Sequence, residues 1–193
     1  MSAHNLLLVG FALSAVYSPA ASLMSLDLDP AKTEVQFTLH DVLHTVHGAF
    51  KLKKGAIHWD PDSGKASGEI VVDVVSGASG SDARDSRMHK EILESQRYPE
   101  ATFTPDQVNG KLAAEGQSQI DVHGLFKIHG ADHELSLHIQ VERLGAQYIA
   151  STHFVIPYVQ WGMKNPSNFL LKVDKTVEMD IKAVSAGVTF LSI

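Results

Sequence analysis

Histidine is the residue type in this sequence whose spacing could form a chemical site. His40, His44 and His47 are four and three positions apart, which on a helix would align three imidazoles. Neutral imidazole is a common ligand of zinc and copper. The flanking residues alternate as in strands, however, which places His44 in a loop between two strands. We interpret the three as strand-end and loop residues, and keep a histidine-based metal-binding or stress-response periplasmic protein as the alternative function.

Four further histidines lie close together along the chain. His129 and His133 flank a predicted turn at 130–132, and could approach each other across a hairpin. Together with His123 and His138 they match no recognisable zinc-site spacing. Pairing at the surface therefore explains them better than metal ligation, and we predict no metal site.

Catalytic motifs are missing from the sequence. It contains no HExxH zinc-protease motif, no GxSxG nucleophile elbow, no phosphate-binding P-loop and no GxGxxG dinucleotide turn. Arg84-Asp85 could be a functional pair at the mouth of a barrel, or a helix cap with a local ion pair. We predict a protein that is not an enzyme and has no cofactor; a small hydrolase or isomerase without a visible site is a third hypothesis.

Composition narrows the class of partner. The chain has 193 residues and a net charge of −6, so it has no electrostatic reason to bind nucleic acid or an anionic membrane. Cysteine is absent, which excludes disulfides, thiolate metal sites and a catalytic thiol. The length fits one domain that can bury a core or surround a cavity.

The N-terminal residues are typical of an export signal. The apolar run 6–16 is too short to span a bilayer, and Pro19 and small residues at 20–22 follow it. No Lys or Arg precedes the run, and the competing interpretation is the frayed apolar N-terminus of a cytoplasmic protein. We predict a signal peptide over 1–22 and a single domain over 23–193, periplasmic or secreted, with no transmembrane segment after processing.

The rest of the chain has a period of two, as in half-buried strands. Val35, Phe37 and Leu39 alternate with polar residues, and the segment 133–142 is the clearest case. Further strands are predicted at 46–53, 69–75, 101–103, 111–114, 119–129, 148–156 and 176–184. The exception is 81–95, where Met88, Ile92 and Leu93 are at helical spacing, so we predict one short helix packed over an end of the sheet.

Many short strands with one apolar face close into a barrel or a two-sheet sandwich. About eight strands leave an interior that side chains fill or that holds one small ligand. The aromatic residues Phe37, Phe50, Phe103 and Phe154 lie on apolar faces, and either fill a core or line a ligand site. Trp59 adjoins a turn and is expected outside. Trp161 lies in an irregular segment and is expected to cap an open end, with a structural anchor as the alternative.

The order of these landmarks resembles the YceI-like family, over about Asp27 to Val184. The resemblance rests on Phe37 with His40, Val46-x-Gly48-x-Phe50, Arg84-Asp85 with Met88, Tyr98-Pro99 with Phe103, His123-Gly124, and Trp161-Gly162. It implies an exported, all-β, closed antiparallel lipocalin-like barrel that binds polyisoprenoid-type lipids. Many members carry an Arg shortly before the aromatic-Gly pair, and this chain has none, so its ligand need not end in a pyrophosphate.

The predicted function is therefore a carrier or binding protein that holds a long apolar ligand, a polyisoprenoid or similar lipid. The predicted ligand-binding residues are Phe37, Phe50, Arg84, Asp85, Phe103, Phe154 and Trp161. The predicted partner is a lipid or isoprenoid, without nucleic acid, and a homodimer is kept open.

Overall fold

The structure, a computed structural model, describes residues 22–169 and 171–192. The predicted signal peptide, apart from Ser22, lies outside the described residues. Within them the chain forms nine strands, one α-helix and a π-helical turn. Their bounds are β1 Ser22–Leu28, β2 Glu34–His40, β3 Thr45–Trp59, β4 Ala66–Ala78, α1 Asp82–Arg87, the π-helical turn Met88–Ile92, β5 Glu100–Gly110, β6 Gly116–Ile128, β7 Ala131–Leu144, β8 Gln147–Ile156 and β9 Val177–Ser192.

The strands close into one antiparallel barrel. Around the wall the order is β3-β2-β9-β8-β7-β6-β5-β4, and β4 pairs again with β3 to complete the ring. β1 and β2 are both hydrogen-bonded to β3 and β9, at different heights, so they share one position in the wall. The predicted fold, a lipocalin-like barrel of about eight strands with one short helix, is confirmed.

Two strand predictions differ from the structure. β1 was not expected, although Met24, Leu26 and Leu28 alternate and are all buried. The strand predicted at 111–114 is a loop, because the chain turns through glycines with positive φ at Gly110 (117°) and Gly116 (76°).

The two ends of the barrel are different. At one, which we call the helix-bearing end, β2, β4, β6 and β8 finish. β4 is followed there by α1 and β8 by the long connection to β9, whereas short loops join β2 to β3 and β6 to β7. At the other end the interior is packed, and Trp59 is only 8% exposed within this core. The prediction that Trp59 lies outside was wrong, because the turn that exposes the chain begins one residue later, at Asp60. No helix among the described residues has the length and apolarity to cross a membrane.

Candidate ligand cavity

A cavity of about 270 Å³ occupies the barrel toward the helix-bearing end. Its walls are the inward faces that the alternation predicted. From the strands they include Val35, Phe37, Leu39, Val46, Phe50, Val72, Val74, Ala101, Phe126, Ile128, Phe154, Ile156, Val177, Met179 and Ile181. The rings of Phe37 and Phe50 lie 5.3 Å apart on adjoining strands. Such a surface offers a ligand apolar contact and almost no hydrogen bonds.

Segments outside the strands complete the lining at the helix-bearing end. Met88, Ile92 and Leu93 face the cavity, so the stripe predicted at helical spacing packs over this end of the barrel as expected. From the opposite side, Tyr158, Met163 and Val173 of the β8–β9 connection also line it. The cavity is thus roofed by two segments that approach from different parts of the wall.

Polar lining residues are confined to this same end. They are His40, Asp41, Ser79, Arg84, Arg87 and Tyr158. The guanidinium of Arg84 donates from Nε to Ser79 Oγ and from Nη2 to the Ser79 carbonyl, both at 2.7 Å. Arg87 Nη2 donates to the Pro166 carbonyl at 3.1 Å. A ligand with one polar end would meet these groups only at the mouth.

Asp85 does not line the cavity and instead positions Arg84. Its carboxylate accepts the Ser79 backbone N–H at 3.0 Å and a second hydrogen bond from the Ser79 hydroxyl. Burial tends to raise the pKa of Asp85, but these hydrogen bonds and the neighbouring Arg84 outweigh it, so the pKa is lowered. The ionised carboxylate fixes Ser79, and Ser79 holds the guanidinium at the mouth.

Hydrogen bonds also fix the two loops beside the mouth. Asp41 accepts the backbone N–H groups of Leu43 at 2.7 Å and His44 at 2.8 Å, which lowers the pKa of this carboxyl despite some desolvation. Tyr158 donates its hydroxyl to the Asp174 carbonyl at 2.6 Å. Burial, followed by the charge of Asp174, raises the pKa of Tyr158 to about 12, so it remains a donor at neutral pH.

Four of the seven predicted ligand-binding residues line the cavity: Phe37, Phe50, Arg84 and Phe154. Phe103 is buried in the core below it, and Asp85 acts through Ser79. Trp161 also lies outside the lining. Its ring stacks on His133 at 4.0 Å between centroids with an 8° interplanar angle. The ring also lies 6.1 Å from that of Phe126, which lines the cavity. Trp161 thus joins the β8–β9 connection to the wall beside the cavity, and its role as a cap over a bound ligand stays a prediction.

The histidines are spread over separate pairs. His40 contacts Thr45 at 3.0 Å, and His47 contacts Thr38 at 3.1 Å, both between side chains. His123 lies 2.7 Å from Asp106, and this hydrogen bond raises its pKa. Across the described part of the chain, no three His, Asp or Glu side chains are grouped so that they could hold a metal ion. The histidine spacing seen in the sequence therefore does not correspond to one site there.

Fold and cavity together define a small closed antiparallel barrel with an apolar interior that opens at one end. The model of the YceI-like domain matches residues 26–185, and the chain belongs to this family. A search of curated proteins finds no match.

Solved structures share the fold at low sequence identity. A polyisoprenoid binding domain from Saccharophagus degradans is 19% identical, with a TM-score of 0.69 over 87% of this chain and 99% of that one. BcnA of Burkholderia cenocepacia is also 19% identical, with a TM-score of 0.65 over 82% and 99%. The Campylobacter jejuni YceI protein is 14% identical, with a TM-score of 0.53 over 100% and 99%.

Proposed function

We propose that this protein binds a long apolar lipid of the polyisoprenoid class in its barrel and carries it outside the cytoplasm. The observation that carries the proposal is the distribution of polarity in the cavity. Its length is lined by aliphatic and aromatic side chains, and charged groups occur only at the mouth. The name of the Saccharophagus degradans domain supports the same ligand class.

The physical basis of binding is burial of hydrocarbon. Removing apolar surface from water contributes about 25 cal/mol per Å², so a prenyl chain is held without polar contacts along its length. The polar end of the lipid lies at the mouth near Arg84 and Arg87. No nucleophile, base or metal is needed, since the protein shields the chain and transforms nothing.

Extraction of the purified protein with organic solvent tests the proposal. We expect mass spectrometry of the extract to show a prenyl lipid, at up to one molecule per protein. Stripped protein should take up a prenyl alcohol again in a ratio of one to one. An extract without lipid and no uptake by stripped protein would contradict the proposal. Stoichiometric zinc or copper in elemental analysis would favour the histidine-based alternative.

Export gives a separate prediction. In an exporting host we expect the mature protein to lack Met1 and to begin within residues 21–24. Signal peptidase prefers the small residues at 20–22, and later cleavage would remove Met24, a core residue that is 4% exposed. N-terminal sequencing of the exported protein measures this. A product that begins at Met1 or Ser2 would contradict the proposed location outside the cytoplasm.

A further inference from the structure

Three large apolar side chains project into solvent beside the mouth of the cavity. Val42 is 64% exposed, Leu43 is 72% exposed and Phe169 is 99% exposed. We call these three residues the mouth rim. Single exposed apolar residues are common on protein surfaces, but a group next to an apolar cavity is unusual for a surface that faces only water.

The mouth rim is presented by hydrogen-bonded backbone. The Val42 N–H donates to the Lys172 carbonyl at 3.2 Å, and the Asp174 N–H donates to the His40 carbonyl at 2.9 Å. These bonds join the β2–β3 loop to the β8–β9 connection. Beside Phe169, the Asn168 N–H donates to the Leu171 carbonyl at 2.8 Å. The backbone that carries the exposed side chains is therefore held in place by hydrogen bonds between these two segments.

The same two segments, the β2–β3 loop and the β8–β9 connection, form the edge of the cavity. Asp41, next to Val42, lines the cavity, as do Leu171 and Val173 on the facing segment, and Asp41 and Val173 pair as a β-bridge. Cavity-lining residues and rim residues therefore lie on the same two segments, together with the charged residues Asp41 and Lys172. A hydrocarbon chain leaving the barrel here passes close to the exposed apolar side chains of the rim.

We infer that the mouth rim inserts into the surface of an electrically neutral phospholipid membrane. Apolar side chains on a supported loop bind at the boundary between headgroups and acyl chains. Charge argues for a neutral surface, because the mouth beside the rim holds both signs, Asp41 with Arg84 and Arg87, and the chain as a whole has a net charge of −6. Entry and exit of a bound lipid at this contact depend on the proposed function. The membrane contact itself does not depend on it.

Flotation with phosphatidylcholine vesicles tests the inference on ligand-stripped protein. The rim variant is Leu43→Ser with Phe169→Ser. The matched control is Leu125→Ser with Leu144→Ser, two residues that are 44% and 53% exposed away from the rim. We expect wild type and control to float with the vesicles and the rim variant to lose at least about tenfold in partitioning. Binding should be insensitive to salt and should not increase when phosphatidylserine is added.

Several results would overturn the inference. One is equal flotation of the rim variant and wild type, and another is failure of wild type to float. A third is a wild-type dimer in light scattering that the rim variant abolishes, since a second copy would then cover the rim. Uptake of a prenyl alcohol by stripped protein, measured by mass spectrometry without vesicles, reports on the proposed function separately. A rim variant that still takes up the alcohol but no longer floats supports the membrane contact.

Discussion

Replacing Phe37 with Asp should lower the free energy of unfolding by at least about 4 kcal/mol and the melting temperature by at least about 8 °C. Phe37 is 5% exposed, lines the cavity and lies against Phe50. The substitution removes buried ring contacts and places a carboxylate where no cation faces it along the strand. Denaturant titration followed by circular dichroism measures the change.

The control is the neighbouring residue on the opposite face. Thr38→Asp should change the free energy of unfolding by less than about 1 kcal/mol. The Thr38 side chain points away from the cavity, between His47 on β3 and Glu178 on β9. A carboxylate there remains accessible to water, and the repulsion from Glu178 on this outer face is small. Equal losses for the two variants would show that the alternation along β2 does not separate interior from surface.

Blocking the mouth should have the largest effect on ligand binding. Val46 lines the cavity near the start of β3, so Val46→Trp should place an indole in the path of the bound chain. Displacing one five-carbon isoprene unit from apolar contact costs about 0.8 kcal/mol for each carbon. The total, about 4 kcal/mol, corresponds to roughly a thousandfold weaker binding. Titration of stripped protein with a fluorescent prenyl analogue measures the affinity.

The matched variant adds the same side chain to the other face of the strand. His47 is exposed, so His47→Trp should leave the affinity within about threefold of wild type. Both variants should retain the circular dichroism spectrum of the wild type, which separates a blocked cavity from a lost fold. Unchanged affinity in Val46→Trp, with the fold intact, would place the ligand elsewhere.

The sequence alone predicts the barrel because the alternation of apolar and polar residues recurs in many strands. One residue in two is apolar along β2, β7 and β9, and each of these strands turns that set toward the interior. Phe37, Phe50 and Phe154 were placed on the correct face for this reason alone. The spacing of Met88, Ile92 and Leu93 likewise predicted a helical segment packed over one end.

Features that depend on distant pairings could not be found in this way. β1 begins close behind the predicted signal peptide, so the short alternation of Met24, Leu26 and Leu28 is not distinguished from the end of that segment. The stacking of Trp161 on His133 depends on where the β8–β9 connection folds back. The role of Asp85 depends on Ser79, which precedes the helix, and residue types alone do not show that contact.

The shared position of β1 and β2 has a consequence for how the chain reaches this fold. β1 is hydrogen-bonded to β9 from Ser22 opposite Ser192 to Leu28 opposite Ser185, so the first and last strands meet across almost the whole chain. Contacts of such long sequence separation carry a high entropic cost and form late. During synthesis, the first strand emerges long before its partner exists. Ring closure therefore waits for the last strand, and until then the apolar interior remains open to chaperones or to a lipid.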